Sequence, residues 1–107
     1  MKTIKIQNKL IGKNQPVFII AEAGVNHNGD FDIAKKLVEA AAQAGADAVK
    51  FQTFDPKTLV TKTAGKAQYQ DKNIGIKESQ FTMLERLKLK REFHGELKKY
   101  AEKFGLI

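Results

Sequence analysis

The feature that most narrows the fold of this chain is the order of its apolar patterns between residues 17 and 54. Val17-Phe-Ile-Ile-Ala21 is an unbroken β-rich run, which suits a strand covered on both faces in a parallel sheet. Pro16 stands where such a strand begins. The following Gly24-Val-Asn-His-Asn-Gly-Asp30 is rich in turn formers, and Asp30 is placed to cap a helix by accepting a backbone N–H bond. Phe31, Ala34, Leu37, Val38, Ala41 and Ala42 then recur at helical spacing, and Gly45 sits where a left-handed residue ends a helix. Ala48-Val-Lys-Phe-Gln-Thr-Phe54 reads as a second strand. Strand, helix, strand in this order predicts a right-handed βαβ unit.

The flanks add less. Residues Ile4 to Ile11 alternate around Asn8 as a short two-stranded ribbon would. Asp55 to Ser79 carries no sustained period, and a connection that long is expected to lie over a binding face. Helices are predicted over Gln80–Leu89, with Phe81, Leu84 and Leu87 on one side, and over Glu92–Phe104, with Phe93, Leu97, Tyr100, Ala101 and Phe104. Gly105-Leu-Ile107 reads as a helix cap followed by the first residues of a third strand.

Composition excludes more than it selects. At 42% hydrophobic and 29% charged the chain has the balance of a folded globular protein. Its net charge is +7, yet all but Arg86 and Arg91 of the 19 basic residues are scattered lysines. A solvated lysine-rich surface explains them better than a nucleic-acid footprint, and an anionic small substrate needs only one or two of them. There are no cysteines, so no disulfide or thiolate metal site can form. That absence fits the cytoplasm. The amino terminus lacks the apolar core of an export signal, and no apolar run reaches the length of a membrane span.

Strand parity selects the candidate site. Side chains alternate across a strand, so Lys50 and Gln52 share one face while Val49 and Phe51 share the other. A lysine in such a strand is expected to be enclosed, and an enclosed ammonium needs a partner. An anionic ligand at the carboxyl end of the strands would supply one; an internal salt bridge or an exposed edge is the competing reading. Glu22 follows the first apolar run and places a carboxylate at the rim of that strand. It can orient hydroxyls or act as a general base, and it equally suits capping neighbouring N–H groups. His27 fits a turn-stabilising role at least as well as metal binding, and His94 reads as a surface residue. Gly24 to Gly29 lacks the spacing of a dinucleotide fingerprint.

Taken together, Ile19-Ile-Ala-Glu-Ala-Gly-Val-Asn-His-Asn-Gly-Asp30 and Ala44-Gly-Ala-Asp-Ala-Val-Lys-Phe-Gln-Thr-Phe54 resemble the opening motifs of the sialic acid synthase family. Ser79-Gln-Phe-Thr-Met-Leu-Glu85 continues in the same style. The resemblance implies an α/β chain forming the amino-terminal fragment of a TIM (β/α)8 barrel, with about two βα units and the start of a third strand across residues 1–107. A whole barrel takes about 250 residues, so a longer parent protein is expected. It implies condensation of phosphoenolpyruvate with an N-acetylated amino sugar such as N-acetylmannosamine, with release of phosphate. Glu22 then resembles the glutamate that contacts the amino sugar, Lys50 and Gln52 the phosphoenolpyruvate-binding pair, and Asn73 a sugar-binding asparagine. The family's divalent metal, Mn or Mg, is expected to have its ligands outside this chain, and the full-length protein is expected to be a cytoplasmic homodimer. The alternatives are another phosphoenolpyruvate-using or aldol-type barrel enzyme, since fold does not fix reaction, and a truncated, non-catalytic fragment.

Overall fold

The computed structural model describes residues 2–59 and 80–107. Two strands, β1 (Ile4–Ile6) and β2 (Lys9–Ile11), form the antiparallel ribbon, with Ile4 opposite Ile11 and a turn through Gln7. Two more, β3 (Ile20–Gly24) and β4 (Ala48–Phe51), pair in parallel and are joined by the helix α1 (Phe31–Gln43). The helices α2 (Pro56–Leu59), α3 (Gln80–Leu87) and α4 (Glu92–Glu102) complete the described chain.

Local chemistry sets the ends of α1. Asp30 is in extended conformation and its Oδ1 accepts the Ile33 N–H at 3.1 Å, satisfying a donor that no helical carbonyl can reach. At the far end Gly45 has φ +80°, so its N–H returns to Ala42 O and the Ala46 N–H to Ala41 O, both within 3.1 Å. This is the bond pair of a Schellman cap. The same pair ends α4, where Gly105 N–H reaches Glu102 O and Leu106 N–H reaches Ala101 O.

Both caps deliver the chain to the sheet. After the first, Asp47 and Ala48 N–H bond to Ile19 O, and β4 begins. After the second, Ile107 donates to Asp47 O at 3.1 Å and accepts from Val49 N–H at 2.9 Å. That is a parallel bridge on the edge of β4 opposite β3, where a third strand is expected.

The core lies on one side of the β3–β4 ladder. Ala34, Val38 and Ala41 of α1 pack with Leu97 and Ala101 of α4, Leu89 and Leu106, and the strands contribute Ala21, Val49 and Phe51. Tyr100 O–H donates to Glu39 at 2.9 Å and ties α4 to α1. Asp47 ties the ribbon to the sheet: one carboxylate oxygen meets Lys9 Nζ and the other the Ile19 N–H, each at 2.8 Å.

Several sequence expectations need correction. The first strand lies three residues later than Val17–Ala21, because its ladder cannot start before its partner does at Ala48. Nor is that run covered on both faces: Val17 is 82% exposed, Ile19 54% and Ile20 56%, since among the described residues nothing closes over them. The second strand stops at Phe51 rather than Phe54, because Gly24, its last partner, ends β3. In α3 the buried residue is Met83, with Phe81, Leu84 and Leu87 only half-buried, since the helix packs on α2. Phe104 is largely exposed against the edge of Tyr100.

Candidate active site

Parallel pairing puts Glu22 directly beside Lys50. In a parallel ladder, partners in register point to the same face, so the carboxylate and the ammonium meet: Oε2 to Nζ is 2.8 Å. Both lie on the face turned away from α1, at the carboxyl end of their strands. Neither is enclosed, with 48% of the glutamate side chain and 59% of the lysine side chain exposed. The expectation of an enclosed Lys50 is thus corrected. Its partner in this structure is an open ion pair, because the described residues build a wall only on the helical side.

The β3 end is irregular. The register steps from Glu22–Lys50 to Gly24–Phe51, so two residues of β3 pass one of β4 and Ala23 is the extra one. Gln52 follows directly. It is exposed, and its N–H reaches Gly24 O at a long 3.5 Å. Glu22, Lys50 and Gln52 are therefore brought to one end of one small sheet. Asn73, the fourth candidate, lies outside the described residues, as does most of the segment expected over the face.

Behind this end lies a residue whose sequence reading was incomplete. His27 is fully buried, and its Nδ1 accepts the Gly29 N–H at 2.8 Å, which bears out the turn-stabilising role. Its ring sits 6.0 Å from that of Phe51. Burial first, and then the neighbouring His94, hold its pKa below the ordinary imidazole range. His94 is half-buried rather than a surface residue, and lines a cavity of about 150 Å³ with Phe51, Leu97 and Ile107. Nothing in the sequence signals that these two histidines, far apart in the chain, both lie near Phe51. A larger cavity, about 310 Å³, lies between the ribbon and the amino end of the sheet, away from Glu22 and Lys50.

Among the described residues no group of three or more His, Cys, Asp or Glu side chains converges to hold a metal ion. No helix of the described chain is long and apolar enough to cross a membrane. What the face offers is one fixed cation, one fixed anion and a neutral amide beside them. Chemically, Lys50 can donate to an anion and Glu22 can accept from hydroxyls.

Residues 37–107 match the model of the NeuB family. The chain belongs to this family, that of the sialic acid synthases. It is 53% identical over 95 residues, 89% of its length, to an N,N'-diacetyllegionaminic acid synthase of Legionella pneumophila, of which it covers 27%. To the human N-acetylneuraminate-9-phosphate synthase it is 34% identical over 97 residues, 91% of the chain and 27% of that relative. Its fold matches the crystal structure of an N-acetylneuraminic acid synthetase from Leptospira borgpetersenii serovar Hardjo-bovis, in complex with citrate, with a TM-score of 0.78. That match has 29% identity and covers 99% of this chain and 32% of the other. The chain thus spans about a quarter of the length of the curated relatives it matches.

Proposed function

We propose that this chain is the amino-terminal part of a (β/α)8-barrel synthase that joins phosphoenolpyruvate to an N-acetylated amino sugar. The observation that carries the reading is the Glu22–Lys50 pair at the carboxyl ends of two parallel strands, the end where barrel enzymes hold their substrates. Lys50 offsets the negative charge of phosphoenolpyruvate, and Gln52 fixes its orientation without adding charge. Glu22, released from Lys50 by the incoming anion, engages the sugar hydroxyls, with Asn73 as a further sugar contact. The methylene carbon of phosphoenolpyruvate forms the new bond to the sugar aldehyde; water adds at the enol carbon, and phosphate leaves from it. Groups that take the harder electrophilic role, including the ligands of any divalent ion, belong outside this chain.

Similarity favours a sugar of the legionaminic type: identity to the Legionella relative is 53%, against 34% to the human one. The complete protein is read as a cytoplasmic homodimer. These 107 residues alone are expected to release no phosphate from phosphoenolpyruvate and N-acetylmannosamine with manganese.

Lys50→Met in the full-length protein tests the reading, since methionine keeps most of the side chain's length without its charge. Loss of a charge-assisted contact should lower kcat/KM for phosphoenolpyruvate by about 2 to 4 kcal/mol, with the melting temperature nearly unchanged. Near-normal kcat/KM with a clearly lower melting temperature would show Lys50 to be purely structural.

A further inference from the structure

The proposed chemistry leaves one buried polar group unused. His27 Nδ1 accepts the Gly29 N–H, so the neutral ring carries its hydrogen on Nε2. That Nε2 is buried and has no hydrogen-bond partner among the described residues. A buried donor left unmet is costly, and an apolar ring of the same size would avoid the cost. What the imidazole supplies instead is a join between two elements. It grips Gly29 within the β3–α1 loop and lies against Phe51, the residue between Lys50 and Gln52. Gly29 itself is pressed on the carboxyl end of α3: a Cβ there would stand 2.8 Å from Arg86 O and 3.1 Å from Lys88 O.

The extra residue in β3 makes such a join necessary. A bulge bends its strand and leaves one residue without a ladder partner, and the shift falls between Glu22 and Gly24, next to the Glu22–Lys50 contact. We infer that His27 is a positioning residue for the Glu22–Lys50 face: its neutral ring fixes the loop against Phe51 and so sets the relation between the carboxyl ends of β3 and β4. This deepens the reading of that face as the substrate site and rests on it.

The neutral ring is the competent form. A proton on Nδ1 removes the acceptor for Gly29 and places a charge in a closed pocket. His94, on α4, opposes that charge and adds to the effect of burial. The backbone carbonyls of Arg86 and Lys88 lie against Gly29 from the carboxyl end of α3, Lys50 on β4 is paired with Glu22, and the Asp30 carboxylate accepts from Ile33 N–H. The folded value lies below the free one, so the join is intact above about pH 6.5 and weakens as the pH falls from there through the folded value.

Two substitutions in the full-length protein separate positioning from mere packing. In glycine- and lysine-selectively 15N-labelled protein, with Lys50 assigned through Lys50→Met, His27→Gln should shift the amide signals of Gly29, Gly24 and Lys50. His27→Asn, whose Oδ1 stands near the place of Nδ1, should return them towards their original positions. Phosphoenolpyruvate affinity, titrated on the same samples, should fall on the order of tenfold in the glutamine variant and recover in the asparagine variant. Gly24 and Lys50 signals unmoved by His27→Gln would overturn the inference. If the glutamine variant does not fold, acid titration of the unsubstituted chain decides: Gly29 and Lys50 must follow the His27 midpoint, and an independent midpoint refutes it. Absence of phosphoenolpyruvate binding by the unsubstituted full-length protein would reject the substrate-site reading alone, because the amide shifts need no ligand.

Discussion

The two faces of the β3–β4 ladder share a backbone and almost nothing else. On one, Ala21, Val49 and Phe51 meet α1 and α4 in a closed apolar cluster. On the other, Ile20, Glu22 and Lys50 stand open, and the contact between strands is an ion pair. The contrast separates the face that carries the packing from the face on which the chemistry is proposed. Burial on the helical side holds the strands parallel and in register; the open side inherits that register and uses it to set one charge beside another.

The largest effect that would test this division is in the core. Leu97→Ala, at a side chain 3% exposed, should lower unfolding free energy by about 2 to 5 kcal/mol in a urea melt. Ile20→Ala, on the open face, should cost less than about 1 kcal/mol. Equal costs would mean that the open face is packed as firmly as the other, and the comparison would fail.

A second test contrasts two glycines with similar backbone angles. Gly29 has φ +76° and no room for a Cβ, whereas Gly45 has φ +80° and nothing within 4 Å. Gly45→Ala should cost only the left-handed strain, roughly 1 to 2 kcal/mol. Gly29→Ala adds a clash with the Arg86 carbonyl, and overpacking raises the loss by roughly another 1 to 3 kcal/mol. Similar melting curves for the two variants would show that the loop and the carboxyl end of α3 are not held together.

The third effect is small by design. Exposed ion pairs contribute little, so Glu22→Gln should change stability by less than about 1 kcal/mol. A loss comparable to Leu97→Ala would move Glu22 from the chemistry to the scaffold. The last effect concerns acid. The Lys9 ammonium and then the Ile19 N–H hold the Asp47 carboxyl below its usual range. Its stabilising contribution is therefore complete above about pH 4 and lost as the pH falls through the lower folded value. Asp47→Asn should flatten that acid limb, read as melting temperature against pH.

Much of this was legible from residue order. Asp30, the α1 periodicity and Gly45 carry their own local instructions, and α1 lies where they place it. Parity alone put Lys50 on the face opposite Val49. The strand limits were not legible, because a ladder ends where either partner ends, and neither segment states the other's register. The strand, helix, strand order does place Glu22 near Lys50 at the carboxyl end of an adjacent parallel strand; what the same gap hid is that the two are direct register partners and form an ion pair. His27 and His94 escaped for a stronger reason, since their proximity depends on how α4 and the β3–α1 loop pack in three dimensions.

The repeated helix exit has a consequence for how the chain can be made. Gly45 and Gly105 close their helices with the same two hydrogen bonds, all between residues at most five apart, and each then turns the chain on to the sheet. Such a joint depends on no distant residue. A strand leaving it is already aimed along the edge it will occupy, at Ile19 in the first case and at Asp47 and Val49 in the second. During synthesis each new strand could therefore dock as its helix emerges from the ribosome, growing the sheet one edge at a time. The joint is local, whereas the contacts it sets up are not, with Ile19 and Asp47 28 residues apart and Asp47 and Ile107 60 apart; a preset aim shortens a search that parallel pairing otherwise makes slow.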